Sequence, residues 1–143
     1  YLYKASDDIE QLKDKKVNFR LVKGAYKESP EVAYPNKADV DENYKKIIKQ
    51  HLLNGGYAAV ATHDDNIINF VKQLEKEYNI PRTQFEFQML YGIRTQSQID
   101  LAREGYKMRV YVPYGNDWYG YFMRRLAESP ANVKFVLKGM FTK

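Results

Sequence analysis

Apolar positions along this chain follow two rhythms that take turns. Tyr44, Ile47, Ile48 and Leu52 fall at the three-and-four spacing of one helix face, and Ile67, Ile68, Val71, Leu74 and Tyr78 repeat that spacing one unit later. Between these helices residues 57–61, Tyr-Ala-Ala-Val-Ala, form a short apolar run that predicts a strand. Residues 84–90 and 108–112 read as strands too, and residues 17–22 have the apolar bias of a strand buried on both faces. A short helix capped by Asp7 or Asp8 runs through Ile9 and Leu12, and Thr95 starts another that carries Ile99 and Ala102. Asp39 caps the helix with Tyr44, and Asp64 or Asp65 the helix with Ile67. Asn54-Gly55-Gly56, Asn79 with Pro81, Gly105, and Pro113 with Gly115 are the stop signals.

Strand and helix therefore alternate at roughly the 30-residue spacing of crossover units, which makes the fold class α/β with a parallel, helix-covered sheet. Doubly wound sheets and barrels both fit this order, and in either one ligands gather at the carboxyl ends of the strands. No Gly-x-Gly-x-x-Gly and no P-loop is present, which weighs against the doubly wound nucleotide folds. The opening Tyr-Leu-Tyr has the look of a strand end, so we expect a fragment that enters its domain part-way through.

Composition narrows the field. With 143 residues, 44% of them hydrophobic, residues 1–143 are expected to form one globular unit, large enough to fold without disulfides or metals. Absence of cysteine removes thiolate chemistry and cysteine metal sites, and with only His51 and His63 no metal site is expected. No run reaches the roughly 20 apolar residues of a membrane span, and the start lacks a signal peptide's charged and apolar regions, so a soluble protein is expected. The net charge of +5 is mild, and basic residues alternate with acidic ones as on solvated helix faces. Thirteen tyrosines among basic residues could suggest single-stranded nucleic acid, but most sit at helical spacing or strand ends, and no nucleic acid is expected as a partner.

The unusual residues cluster at predicted strand ends. Arg20-Leu-Val-Lys-Gly-Ala-Tyr26 runs from a strand into a backbone stripped of side chains, with two cations and an aromatic beside it. Such a segment suits a cofactor's anionic oxygens and a flat ring; the bland alternative is a basic strand end and an ordinary turn. His63 follows an apolar strand and precedes a helix cap, where it either bonds a ligand or serves the capping turn. His51 lies within a helix and reads as structural or exposed. Glu86, inside a strand, must pair with a cation or face a barrel interior, and we assign it a salt-bridged structural role and Gln88 a ligand-facing one. On a last helix from about residue 116 to 128, Tyr121, Arg124, Arg125 and Glu128 share one sector of about 100°. Two guanidinium forks oriented by one carboxylate suit a substrate carboxylate; the alternative is a solvated stripe.

Taken together, Arg20-Leu-Val-Lys-Gly-Ala-Tyr26, Ala61-Thr-His63, Phe85-Glu-Phe-Gln-Met-Leu-Tyr-Gly92, Tyr111-Val-Pro-Tyr-Gly115 and Tyr121-Phe-Met-Arg-Arg-Leu-Ala-Glu128 resemble, in order and spacing, the carboxyl-terminal half of bacterial single-function proline dehydrogenase. The resemblance implies a distorted (β/α)8 TIM-type barrel, of which 143 residues supply four to five units, since typical barrels need about 250. It implies FAD as cofactor, oxidation of L-proline to Δ1-pyrroline-5-carboxylate, a quinone-type electron acceptor, and a cytoplasmic protein with peripheral contact at the inner membrane face. By the same resemblance Arg20 lies at the reactive flavin edge, and Val22, Lys23, Gly24, Ala25, Tyr26, Lys37, Thr62, His63 and Gln88 complete this half of the FAD site. Arg124 and Arg125 clamp the proline carboxylate with Glu128 positioning them, and Leu90, Tyr111 and Tyr121 shape an apolar slot. Two departures stand out: Asp64 where the family often has Asn, and a short loop between Tyr111 and Tyr121. Further site residues are expected upstream of Tyr1, so the piece alone should not turn over proline. The competing reading is a non-catalytic half-barrel that self-associates or pairs with another chain through exposed strand edges.

Overall fold

The structure, a computed structural model, describes residues 1–24, 28–117, 119, 120 and 123. Its elements follow the predicted alternation: α1 (Ala5–Gln11), β1 (Asn18–Leu21), α2 (Lys37–Leu53), β2 (Tyr57–Ala61), α3 (Asp65–Tyr78), β3 (Phe85–Leu90), α4 (Thr95–Arg103) and β4 (Met108–Tyr111). The strands form one sheet in the order β1-β2-β3-β4. Arg20 lies opposite Ala59 and Ala59 opposite Glu86, while Leu21, Val60 and Phe87 share the next layer, all in parallel register. Contacts divide the chain at Val110 into two units, the second beginning at Tyr111. In it Gly115 has φ +129°, the Tyr114 ring is fully exposed, and Tyr119, Gly120 and Met123 are helical.

One side of the sheet is dry. Ala58, Val60, Phe85, Phe87 and Met89 point there and meet Ile47, Ile48, Ile67, Val71 and Leu74 from α2 and α3, and each of these fully buried side chains larger than alanine contributes roughly 1.5–3 kcal/mol. The other side carries Arg20, Tyr57, Ala59, Ala61, Glu86 and Gln88, and is polar and partly open. This alternation corrects the reading of residues 17–22 as buried on both faces: Asn18 and Arg20 are exposed, and only Leu21 of β1 is buried. Three other boundaries move. α1 begins at Ala5, so Asp7 and Asp8 lie within its first turn rather than at its cap. Asn36, with extended backbone, occupies the cap of α2, because Lys37 and Ala38 already belong to the helix, and its amide bonds the Asp39 carboxylate at 3.0 Å. Tyr1 to Tyr3 lies outside the parallel sheet, Leu2 forming an antiparallel bridge to Ala33. The expected helix stops hold: Asn79 is left-handed at φ 52°, and Gly55 and Gly105 have φ +78° and +87°. Among the described residues no helix is long and apolar enough to cross a membrane.

Two polar side chains inside the fold carry structural weight. His51 is buried, its Nε2 donates to the Tyr57 carbonyl at 3.0 Å, and its ring lies where a Cβ on Gly56 would sit, 2.1 Å from the nearest carbon. Glu86, 5% exposed, accepts from Arg109 Nε at 2.6 Å and Nη2 at 3.0 Å, from Tyr57 Oη at 2.9 Å and from Gln88 Nε2 at 2.6 Å. The Arg109 hydrogen bond is the main cause that holds its carboxyl down at about 2, against an ordinary 4.5, with Gln88 and Tyr57 helping and burial opposing. The structural, salt-bridged role expected for Glu86 is what the geometry displays.

Gly56→Ala is therefore expected to lower stability by about 1–3 kcal/mol through overpacking, with much of the loss removed in a His51→Ala background. Urea melts of the two single variants and the double variant check this, and additive losses would contradict the contact. Because the folded pKa of Glu86 is depressed, its contribution is complete above pH 4.5 and is lost as pH falls towards 2. Discounted for the exposed guanidinium of Arg109, that contribution is about 1–2 kcal/mol. The stability gap between the parent and Glu86→Gln should narrow between pH 5 and pH 3; an unchanged gap would show that the carboxylate charge is not what matters.

Candidate active site

The polar face of the sheet begins from a gap. Arg20 on β1 and Gln88 on β3 are separated by a whole strand, a span of roughly 10 Å, yet Arg20 Nε donates to Gln88 Oε1 at 2.8 Å. They meet because, between them, β2 presents Ala59 and Ala61 on that face, so the longer side chains close over two methyl groups. Gln88 has one orientation available: its amide nitrogen is taken by Glu86, which turns its oxygen towards Arg20. Only Nε of Arg20 is used in this bond, and among the described residues the terminal nitrogens of its exposed guanidinium remain for a ligand. The result is a small-residue floor with a fixed cation at its edge.

The carboxyl ends of β1 and β2 are stapled to α2 by a buried phenol. Tyr44 Oη donates to the Leu21 carbonyl at 2.7 Å and, more weakly, to the Ala61 carbonyl at 3.3 Å. Burial pushes its pKa well up, so the hydroxyl remains a donor. Beyond β2, Thr62 is buried, its N–H reaches the Gln88 carbonyl at 3.1 Å, and its Oγ1 accepts from the Asp64 N–H at 3.1 Å. Asp64 caps α3 by accepting from the Asn66 N–H at 2.9 Å. His63, between them, accepts at Nε2 from the Leu90 N–H at 3.0 Å, which joins the ends of β2 and β3.

Lys23 sits among carboxylates. Its Nζ lies 2.5 Å from Asp41 and 2.7 Å from Asp64, and Asp41 also takes Lys37 at 2.6 Å. Burial opposes the charge on Lys23, but bonds to the two carboxylates outweigh it and raise the pKa. The Lys23 hydrogen bond, with help from the Asn66 N–H and against burial, lowers Asp64. Two cations and two anions thus form a neutral cluster. Lys37, its side chain 80% exposed, is the cation free to swing towards an anion. Gly24 has φ +88°, and a Cβ there would meet the Tyr1 ring at 2.2 Å. The close approach expected at this glycine is made by an aromatic of the chain itself.

The structure brings Arg20 and Gln88 together on the sheet face, and gathers Lys23, Lys37, Thr62 and His63 around the strand ends with the Leu90 backbone. Val22 is exposed just past β1, and Tyr111 is exposed at the start of the second unit. Ala25, Tyr26, Tyr121, Arg124, Arg125 and Glu128 lie outside the described residues, as does most of the predicted helix at residues 116–128. Asp41, Tyr44 and Arg94 were not among the site residues expected from sequence. Asp41 had a signal, the i, i+4 spacing from Lys37 on one helix. Tyr44 looked like any apolar helix position, and Arg94 reaches the site by donating from Nη1 to the His63 backbone carbonyl, a bond that no side-chain pattern encodes.

A family model described as Proline dehydrogenase matches residues 2–138. The chain is 63% identical to Proline dehydrogenase 2 of Bacillus subtilis (strain 168) over 143 residues, which is 100% of this chain and 47% of that protein. It is 55% identical to Proline dehydrogenase of Deinococcus radiodurans over 140 residues, 98% of this chain and 45% of that one. The chain therefore spans about half the length of the curated relatives it matches. A crystal structure of proline utilization A from Bdellovibrio bacteriovorus inactivated by N-propargylglycine superposes with a TM-score of 0.81 at 32% identity, covering 88% of this chain and 15% of that one. With this neighbour, the parallel sheet and alternating helices are of the TIM-barrel type, and the chain belongs to the proline dehydrogenase family.

Proposed function

We propose that this chain is the carboxyl-terminal half of the barrel domain of an FAD-dependent proline dehydrogenase, which in its full length oxidises L-proline to Δ1-pyrroline-5-carboxylate. The observation that carries the reading is the alanine floor of β2 with Arg20 fixed beside it through Gln88. A planar ring system needs a floor without protruding side chains, and an electron-accepting ring needs positive charge held at its edge. The residues present fit a flavin on both counts. FAD, when bound, supplies the two-electron acceptor for the hydride that leaves the proline ring carbon next to nitrogen.

The protein's part is position and field. Arg20 keeps its charge in place because Glu86 and Gln88 hold it there. Lys37 and His63 offer donors to phosphate or ribose oxygens, while Lys23 is held in reserve by Asp41 and Asp64. Val22, Gly24, Ala25, Tyr26 and Thr62 complete the cofactor side in this proposal. Arg124 and Arg125 hold the substrate carboxylate with Glu128 orienting them, and Leu90, Tyr111 and Tyr121 close around the pyrrolidine ring. Fixing the carboxylate aligns the reacting C–H bond, which hydride transfer needs more than it needs an acid or base. A quinone takes the electrons, the net charge of +5 favours peripheral contact with the anionic inner face of a membrane, and the 143 residues alone are inactive.

A second reading has one observation behind it. An apolar groove of about 660 Å³ runs beside β1, lined by Leu2, Ile9, Leu12, Phe19 and Ile47 among others, and the edge of β1 is unpaired among the described residues. It suits a half-barrel that pairs with another chain. Light scattering on the 143-residue chain separates the two, since a well-folded monomer argues against a need to cover that edge.

The full-length polypeptide should purify yellow, with a flavin spectrum, and should reduce a dye in a proline-dependent way. Arg124→Ala or Arg125→Ala should lower kcat/KM about 10- to 100-fold, chiefly through a raised KM for proline; an unchanged KM would remove the clamp assignment. Salt-sensitive oligonucleotide binding with no flavin uptake would overturn the enzyme reading.

A further inference from the structure

We propose that Arg94 is a positioning residue that fixes His63 as the neutral tautomer with its proton on Nδ1, so that His63 donates one hydrogen bond to an acceptor oxygen of the bound cofactor. This rests on the proposed flavin site and extends it to a residue outside that set.

The tautomer follows from a backbone group that has no choice. The Leu90 N–H can only donate, and at 3.0 Å it points into His63 Nε2, which must therefore offer a lone pair. The single proton of a neutral imidazole is then on Nδ1, the ring's one donor. Leu90 is held in turn. Its carbonyl accepts from the Ile93 N–H at 3.2 Å and from Gln98 Nε2 at 3.0 Å, and the same buried amide also reaches the Ile93 carbonyl at 2.7 Å.

Arg94 holds His63 from its other end. One guanidinium nitrogen, Nη1, donates to the His63 carbonyl while Nη2 bonds Asp65 at 2.6 Å. A planar fork spans a carbonyl and a carboxylate two residues apart; a lysine's single ammonium does not fix both directions. The backbone of Arg94 supports the inference independently. It stands directly before α4 and is left-handed, φ 54° and ψ 44°, a conformation that glycine or asparagine ordinarily takes. An arginine there is strained, and the side chain so placed grips the loop before α3. Charges around the ring agree: Asp65 is paired with Arg94 and Asp64 with Lys23, so neither carboxylate is left to favour an imidazolium. Burial and then the Arg94 charge lower the His63 pKa.

The test uses the full-length polypeptide labelled with 15N-histidine, the His63 signals being identified by their loss in His63→Asn. In the parent, His63 should show a pyridine-type Nε2 and a pyrrole-type Nδ1. In Arg94→Gln and Arg94→Lys those two signals should move towards each other as the tautomers mix. Titration of the apoprotein with FAD should show roughly a tenfold weaker affinity in each, the value of one hydrogen bond of about 1.4 kcal/mol. His63→Asn/Arg94→Gln should bind FAD no more weakly than His63→Asn alone. An unchanged tautomer in Arg94→Gln, or losses that add in the double variant, would overturn the proposal. Asp65→Asn, which weakens one prong and keeps the Arg94 backbone, should cause part of the same tautomer mixing if Arg94→Gln fails to fold; no change there would also overturn it. If the tautomer responds as stated but His63→Asn leaves FAD affinity intact, the cofactor contact fails while the positioning by Arg94 stands.

Discussion

A carboxylate buried on the open face of a sheet sets the terms for everything around it. Glu86 cannot be left short of partners at that depth, because an unpaired buried charge costs several kcal/mol. It takes donors from three strands: Tyr57 on β2, Gln88 on its own strand and Arg109 on β4. Satisfying Glu86 therefore fixes Gln88, and a fixed Gln88 fixes Arg20. A redox edge needs a cation whose position does not reorganise during the reaction. The sheet holds Arg20 by a relay that starts from an electrostatic need rather than from a ligand, and the proposed flavin edge draws on that fixed charge.

The same logic governs the rim in the opposite sense. Lys23 is held between Asp41 and Asp64, so its charge is largely spent inside the protein. A phosphate approaching this cluster meets a neutral group of four charges, and its attraction depends on how far Lys37 can leave Asp41. Asp64 matters most here because it serves two structures at once, capping α3 and holding Lys23. Asparagine would keep the cap and leave Asp41 as the one carboxylate on Lys23. The identity of this one residue thus sets how much positive charge the rim shows to an anion.

How much of this was legible in the sequence depends on the range of the interaction concerned. The helices with Tyr44 and Ile67 and the strands between them were readable because burial imposes a local period, and Asn79 and Gly105 ended helices for a local reason, their left-handed backbone. The edge character of β1 was not readable from its apolar bias, since what covers a strand is decided by distant elements. Glu86 could be assigned a structural role because a carboxylate in a strand has few outcomes, although its partner Arg109 is a strand away. The alanines of β2 looked like modest strand formers. Their importance appears only when register places them between Arg20 and Gln88.

Tyr44 shows why such cross-strand placement survives at the strand ends, where a parallel ladder runs out of partners. The Leu21 and Ala61 carbonyls close β1 and β2, and beyond them the chain turns away from the sheet. A buried carbonyl without a donor costs about 1–3 kcal/mol, so the ends would fray towards water if nothing reached them. A single phenol from α2 serves both, strongly for Leu21 at 2.7 Å and weakly for Ala61 at 3.3 Å. It also makes the helix the reference for both strands. Arg20 is next to Leu21 and Thr62 next to Ala61, so a bond made for backbone satisfaction indexes the sheet-face cation against the rim. Phenylalanine would fill the same core volume and take the hydroxyl donor away from both carbonyls. The hydroxyl, more than the ring, is what connects the packing of α2 to the geometry of the candidate site.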